Sequence, residues 1–194
     1  TRGALGNFRT VLEDVTLSPI MGVYLTTLRN AKATYDSAGR PLTFPDENYA
    51  REVMQLFTIG LYELNSDGSY RVDGSARPIE TYTQDMVSQL ARVFTGWNLR
   101  QSAGYRGDDP NSYQEFVYNA DEHETTEKTF SFPIYSNGSR TIPSRSASAG
   151  LQDGMDLITA LAVRPETARR LARKFWSFFV SDIHQPDATF VDNV

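Results

Sequence analysis

The stretch DEHETTEK, residues 121–128, holds the side chains of this chain that are best suited to chemistry. His123 is one of only two histidines, and carboxylates stand on both sides of it. A neighbouring carboxylate stabilises a protonated imidazole and fixes its tautomer, which is what a general acid or base requires. From this pattern we predict that the catalytic residues are His123, Glu124 and Lys128.

The same stretch carries donor atoms for a cation. The predicted metal ligands are His123, Glu124 and Glu127, and a divalent cation is the cofactor that they would take. HETTE is not the zinc-protease motif, because Glu127 replaces the second histidine and no helix is expected there. The alternative interpretation is an exposed acidic tip of a β hairpin, in which Lys128 pairs with a neighbouring acid.

Two amphipathic helices are predicted over 46–59 and 83–95, since each segment sorts its apolar residues onto one face. Asp46 and Thr83 are the expected N-caps, and Gly60 and Gly96 the expected ends. The predicted buried residues of the first helix are Tyr49, Ala50, Val53, Met54, Leu56 and Phe57. Those of the second are Met86, Val87, Leu90, Ala91, Val93 and Phe94.

The opposite faces of these helices carry charges that can pair between them. Glu52 would meet Arg92, and Arg51 would meet Asp85. We predict a structural charge network of Arg51, Glu52, Asp85 and Arg92, since charged residues on the outer face of a helix are the ordinary case. Glu-x-x-His, the pair that many helical bundles use to hold metal ions, does not occur in the sequence.

Two further segments, 5–29 and 151–180, each predict a pair of helices joined at a proline. VLEDVTLSPIMGVYL (11–25) aligns with LITALAVRPETARRL (157–171). The similarity indicates either an internal repeat or the common pattern of any tight helix–proline–helix joint.

The helix that follows Pro165 is basic on one face and aromatic on the other. The basic arc contains Arg169, Arg170, Arg173 and Lys174. The other arc contains Ala168, Leu171, Ala172, Phe175, Trp176, Phe178 and Phe179. We expect the aromatic arc to be buried and the basic arc to be solvated, facing the acidic loop 121–127. The alternative is that this helix binds an anionic membrane or an acidic partner.

Between the helices, residues 112–143 alternate apolar and polar side chains and predict a small antiparallel β ribbon. In 63–74, Asp67-Gly68 favours a turn. A weak calcium site is the alternative there, although Gly74 replaces the glutamate that a calcium loop needs. The predicted fold is mainly α, a single domain over 1–194. Helical hairpins and two amphipathic helices pack in its one core.

Composition excludes several classes of function. The net charge of −5 argues against nucleic acid as a partner, because binding to a phosphate backbone needs a basic surface. The sequence has no glycine-rich phosphate loop, so no nucleotide cofactor is expected. No run of about 18 apolar residues occurs, so no transmembrane segment is expected. The chain lacks cysteine, which excludes disulfides and thiolate metal sites.

Four ordered stretches resemble one protein family. They are NYAREVMQLFTIGL (48–61), YTQDMVSQLARVFTGW (82–97), FVYNADEHETTEKTF (116–130) and VRPETARRLARKFWSFFVSD (163–182). Together they are similar to the domain-of-unknown-function family numbered 1800, which consists of large bacterial proteins, mostly exported. The resemblance implies a secreted or periplasmic location, and it implies that this chain is an internal portion of a longer protein. It implies no activity.

Two functional hypotheses follow. The first is a helical interaction or scaffolding module of an exported bacterial protein, whose partner is another segment of the parent polypeptide or a second protein. The second is a cation-assisted hydrolase that uses the loop 121–128. The enzyme hypothesis requires His123 and at least two carboxylates to converge in a concave pocket. The module hypothesis predicts that this loop points into solvent.

Overall fold

The computed structural model describes residues 6–102, 104–109 and 112–193. Helix makes up 39% of these residues and strand 14%, with the strands in small antiparallel two-stranded sheets. The prediction of helical hairpins with a minor β component is therefore confirmed in outline. The fold is only partly helical, however, and is not clearly mainly α.

Within the described residues there are seven α-helices. They are α1 Phe8–Thr16, α2 Pro19–Tyr24, α3 Asn48–Glu52, α4 Gln84–Val93, α5 Leu151–Ala162, α6 Pro165–Phe179 and α7 Ala188–Asp192. The strands are β1 Thr34–Tyr35, β2 Pro41–Thr43, β3 Trp97–Gln101, β4 Gln114–Tyr118, β5 Lys128–Thr129 and β6 Thr141–Ile142. The sheets pair β1 with β2, β3 with β4 and β5 with β6, all antiparallel.

The core forms where α4 packs against α3 and α5, and where α1 packs against α5. A chain of edge-to-face aromatic contacts runs through it. Tyr49 meets Phe94 with ring centroids 5.0 Å apart, Phe94 meets Trp97 at 5.1 Å, and Trp97 meets Phe116 at 5.0 Å. Burying one large apolar side chain stabilises a fold by about 1.5–3 kcal/mol, so this chain of rings is a main source of stability.

Both predicted helix–proline–helix joints are present. Pro19 begins α2 and Pro165 begins α6, each in the first turn, where a missing N–H leaves no hydrogen bond unmade. Of the predicted stretch 5–29, Leu5 lies outside the described residues. The internal repeat stays a prediction.

The first amphipathic helix departs from a regular α-helix. The N-cap of α3 is Glu47, not Asp46 as predicted, although the Asp46 side chain accepts from the Asn48 N–H at 2.8 Å. The helix then continues as a π-helical turn over Val53–Phe57. Because a π turn holds an extra residue, the side chains within and after it are rotated about the helix axis relative to a regular α-helix. Leu56 is therefore 44% exposed, and the prediction that it is buried was wrong. Gly60 ends the segment with a φ of +79°, a conformation that favours glycine.

The second amphipathic helix agrees with its prediction. The Thr83 side chain accepts from the Met86 N–H at 3.4 Å, and Gly96 follows the helix with a φ of +82°. All six residues assigned to the apolar face are buried.

The predicted β ribbon needs a correction. β5 and β6 pair within 112–143, but β4 pairs with β3, which precedes the ribbon. Residues 97–101 were not recognised as a strand because their pairing partner is distant in sequence, and strand formation depends on such partners. The turn at Asp67-Gly68 is confirmed, with a Gly68 φ of +85° and an N–H that donates to the Asn65 carbonyl at 2.9 Å.

Candidate functional site

His123 lies in the interior of the protein, with 0% of its side chain exposed. A short 3₁₀ turn, Ala120–Glu122, leads into it. Its Nδ1 lies 2.8 Å from the Thr95 carbonyl oxygen, and its Nε2 lies 3.3 Å from Asp153 Oδ2. Both contacts are hydrogen bonds when both ring nitrogens carry protons, as in an imidazolium. The interpretation of an exposed hairpin tip was therefore wrong for this residue, because Thr95 and Asp153 hold the imidazole inside.

Lys128 is enclosed in the same place and binds the same carboxylate. Its ammonium donates to Asp153 Oδ2 at 2.6 Å and to the Glu124 carbonyl, and both charged side chains are at most 1% exposed. Lys128 therefore pairs with an acid on α5, not with a neighbouring acid of its own loop. Burial lowers the pKa of Lys128, and its contact with Asp153 offsets only part of that effect.

Asp153 is the centre of this buried charge cluster. Burial alone would raise the pKa of its carboxyl. Hydrogen bonds from His123 and Lys128, together with the charge of Lys128, outweigh burial and hold the pKa below its usual value. Arg145 adds a further cation, with Nε 3.3 Å from Asp153 Oδ1. The carboxylate is thus ionised and balanced by several buried or half-buried donors.

The cluster extends to a second carboxylate on the next turn of α5. The Tyr135 hydroxyl donates to Asp156 Oδ2 at 2.6 Å, and Arg145 also pairs with Asp156. Burial and the Asp156 carboxylate raise the pKa of Tyr135 to about 12. Arg145 therefore links the two carboxylates of α5 to the loop that precedes the helix.

Sequence reasoning missed Asp153. The available signal was its position on α5, four residues before Leu157 and eight before Leu161, both of which are fully buried. Residues at this spacing share a helix face, so Asp153 belongs to the face of α5 that is buried in the core. A buried acid needs a cationic partner, and that requirement points to a lysine or histidine elsewhere in the chain.

The structure does not bring together His123, Glu124 and Glu127 as a set of metal ligands. The Glu124 carboxylate accepts from Thr126, through the backbone N–H at 3.1 Å and the hydroxyl at 2.8 Å, whereas the imidazole contacts Thr95 and Asp153. Across residues 6–102, 104–109 and 112–193, no group of three or more His, Asp or Glu side chains is arranged to hold a metal ion.

Neither predicted pair of the charge network between α3 and α4 is formed. Arg51 instead pairs with Glu47 at 3.3 Å and donates to Gln84 at 3.0 Å. Arg92 donates to Gln89 Oε1 at 2.6 Å and to the Glu127 carbonyl at 3.0 Å. The two helices do pack together. Their polar faces are connected by the hydrogen bond from Arg51 to Gln84 and not by the predicted ion pairs.

Helix α6 follows the expected orientation only in part. Lys174 donates to the Leu56 carbonyl at 2.9 Å, and Arg170 reaches the same oxygen at 3.5 Å. That carbonyl belongs to the last turn of a helical segment, where cations are favourable. Phe178 and Phe179 point outwards and are 81% and 73% exposed. The prediction of a buried aromatic arc was therefore wrong for these residues, although Ala172 of the same arc is buried. Arg170 and Lys174 reach the Leu56 carbonyl and are not free in solvent, contrary to the expectation.

Two chemical properties follow from this geometry. His123 and Lys128 are enclosed, so neither can touch a substrate in this conformation, and their contacts fasten the segment 120–128 to α5. The aromatic side chains of α6 are presented to the outside. Among the described residues, no helix combines the length and apolar composition needed to cross a lipid bilayer.

Comparison with known proteins agrees with the ordered motifs. A family model described as "Protein of unknown function (DUF1800)" matches residues 1–194, the whole chain. Neither the curated proteins nor the solved structures contain a match. The four ordered stretches, and the helices and loops that carry them, thus fall within one family model. The chain belongs to the DUF1800 family of proteins of unknown function.

Proposed function

We propose that this chain is an interaction module that packs the aromatic face of α6 against an apolar protein segment, either from elsewhere in the same polypeptide or from a second protein. The observation that carries the proposal is the exposure of Phe175, Phe178 and Phe179, which are 55%, 81% and 73% exposed. Because the four ordered motifs resemble a family whose members are mostly exported bacterial proteins, the proposed location is the secreted or periplasmic space.

The three rings form one continuous surface. Phe175 stacks on Phe179 with centroids 6.2 Å apart, and Phe178 meets Phe179 edge to face at 4.8 Å. Val180 and Ile183 follow directly along the chain and are 62% and 82% exposed. We call these five residues the aromatic patch. Contiguous apolar surface of this kind marks interaction sites, and aromatic residues are enriched at protein interfaces.

Hydrogen bonds to other segments hold the helix that carries the patch in place. Lys174 and Arg170 hold the Leu56 carbonyl, and the Trp176 indole N–H donates to the His184 carbonyl at 2.6 Å. Phe175, Phe178 and Phe179 stand at the i, i+3, i+4 spacing by which an amphipathic helix enters an apolar groove. A partner therefore meets a preorganised surface, which reduces the entropy lost on binding.

The hydrolase alternative has less support. It requires His123, Glu124 and Lys128 to meet a substrate, and the first and last of these are fully enclosed. Glu124 lines a surface cleft whose lining contains neither His123 nor Lys128, so the three groups do not share that pocket.

Site-specific photocrosslinking in the producing bacterium tests the proposal. A benzophenone side chain in place of Phe178 should crosslink to one defined protein segment, which mass spectrometry identifies as apolar in sequence. The matched control is the same side chain at Val163, which is 73% exposed but lies before α6, outside the aromatic patch. Crosslinks of equal yield and identity at the two positions contradict the proposal, as does a patch that gives none.

A further inference from the structure

A cleft on another part of the surface has the size and lining of a small-molecule site. It has a volume of about 390 Å³ and lies between the β1–β2 hairpin, α4 and the segment after His123. Small-molecule pockets start at about 300 Å³, so the cleft suits a compact ligand. Its aromatic wall consists of Tyr35 and Phe44, which are 62% and 73% exposed.

Glu124 supplies one fixed negative charge to this cleft. Its backbone is anchored twice, because its N–H donates to Thr95 Oγ1 at 2.8 Å and its carbonyl accepts from Lys128. Its side chain accepts from Thr126 through Oε1, so within the described residues Oε2 has no hydrogen-bond donor. Burial raises the pKa of Glu124, but the hydrogen bonds from Thr126 and the charge of Arg92 lower it further than burial raises it. The carboxylate is thus ionised at neutral pH.

Arg92 supplies one fixed positive charge. Its guanidinium is held by neutral acceptors, namely the Gln89 side chain, the Thr126 hydroxyl and the Glu127 carbonyl. A guanidinium has five N–H donors, so donors remain for a ligand. Among the described residues Arg92 forms no direct ion pair with a carboxylate. Its charge lowers the pKa of Glu124, and both side chains contact the Thr126 hydroxyl.

The other charged residue of the lining is already neutralised. Glu47 pairs with Arg51 at 3.3 Å and also accepts from Gln84 and from Ser88, both at 2.7 Å. The cleft therefore presents one anion and one cation that are not joined in a direct ion pair, beside an aromatic wall. A ligand that matches all three features has an ammonium, a carboxylate and an apolar group.

We propose that this cleft binds a zwitterionic amino compound, an α-amino acid or dipeptide with an apolar side chain. The ammonium is placed at Glu124 and the carboxylate at Arg92, whose Nε–H and one Nη1–H have no acceptor within the described residues. The side chain lies against Tyr35 and Phe44. This site shares no residue with the aromatic patch of α6, so the two proposals stand or fall separately.

Titration of the whole chain by two-dimensional NMR with four probes tests the assignment. L-phenylalanine should shift the amide signals around the cleft and saturate. 2-Phenylethylamine lacks the carboxylate and 3-phenylpropanoate lacks the ammonium, so each should bind about tenfold or more weakly, because a hydrogen bond to a charged group contributes about that factor. Methyl β-D-glucoside, which is uncharged, should cause no shift.

Variants locate the ligand groups. Glu124→Gln should weaken L-phenylalanine about tenfold while leaving 3-phenylpropanoate unchanged, since only the first carries an ammonium. Phe44→Ala should weaken both. Their matched controls are Glu80→Gln and Leu42→Ala, at exposed positions outside the lining. Equal affinity for the zwitterion and its singly charged analogues overturns the proposal, and so does saturable binding of the glucoside alone or of none of the probes.

Discussion

His123, Lys128 and Asp153 are enclosed in the protein, whereas Phe178 and Phe179 stand at its surface. Most folds bury aromatic side chains and leave charges in water. Here the charges are enclosed because they have one another as partners: the carboxylate of Asp153 accepts from Lys128 and from the imidazole. The phenylalanines have no comparable partner within the described residues apart from each other and Phe175.

We interpret the buried charge cluster as structural and the exposed aromatic patch as an interaction surface. A buried ion pair contributes little net stability compared with well-packed apolar side chains. Removal of one partner is strongly destabilising, however, because it leaves an uncompensated buried charge. An exposed aromatic side chain contributes little to folding, and its removal should leave the fold unchanged. Substitutions in the two regions should therefore have opposite consequences for stability and for association.

The largest effect is expected for Asp153→Ala. Because Lys128 would then be an uncompensated buried charge, the free energy of unfolding should fall by about 3–5 kcal/mol. Urea-induced unfolding followed by circular dichroism measures this loss. The exposed Asp85→Ala should change stability by no more than about 0.5 kcal/mol. Similar losses in the two variants would mean that the buried cluster has no special role.

A smaller loss of unfolding free energy is expected for Gly150→Ala, which would place a methyl group against His123 of the same cluster. A Cβ atom at this position would overlap the His123 ring and the Tyr118 hydroxyl. Inserting one methyl group into a packed interior costs about 1–3 kcal/mol of unfolding free energy. Gly74→Ala is the control, since a Cβ there meets no atom within 4 Å. A variant as stable as the wild type would show that the imidazole can move aside.

Acid should weaken the cluster in a defined direction. The folded protein holds the pKa of Asp153 below the value of 3.8 for an unperturbed carboxyl. The stabilisation from this group is therefore fully present above pH 3.8 and is lost as the pH falls through its folded pKa. Urea unfolding at a series of acidic pH values gives the free energy of unfolding at each pH. As the pH falls, this free energy should decrease more steeply for the wild type than for Asp153→Asn. Parallel curves would contradict a lowered pKa.

The smallest change in stability is expected in the aromatic patch. Phe178→Ser should alter the unfolding free energy by no more than about 0.5 kcal/mol, because the ring is 81% exposed. Phe94→Ala, in the core and 1% exposed, should cost about 3–5 kcal/mol by the same measurement. A large loss for Phe178→Ser would mean that the ring packs within the fold and is not available to a partner.

Local signals in the sequence predicted much of the fold. Proline at a helix start, glycine at a helix end and a capping threonine act within a few residues, so Pro19, Pro165, Gly60, Gly96 and Thr83 were all placed correctly. The apolar face of α4 followed from its period. The π turn after α3 left no recognisable pattern, so the exposure of Leu56 was missed.

Charge pairing was predicted least well. A sequence shows which side chains are charged but not which distant ones meet, and Lys128 pairs with an acid 25 residues away. The predicted partners of Arg51 and Arg92 were plausible by helix geometry, yet closer acceptors satisfy both. Of the residues proposed for chemistry, His123 and Lys128 became parts of the interior, and Glu124 came to line a cleft.

The sequence by itself determined the membership of the family, the two helix–proline–helix joints and the amphipathic helices, because these depend on neighbouring residues and on periodicity. The tertiary structure alone decided that a histidine, a lysine and an aspartate would be enclosed together. It also decided which face of α6 turned outwards, since the basic side chains of that helix reach a backbone carbonyl more than 100 residues earlier in the chain. Such contacts join segments that are distant in sequence, and only the folded chain brings them within reach.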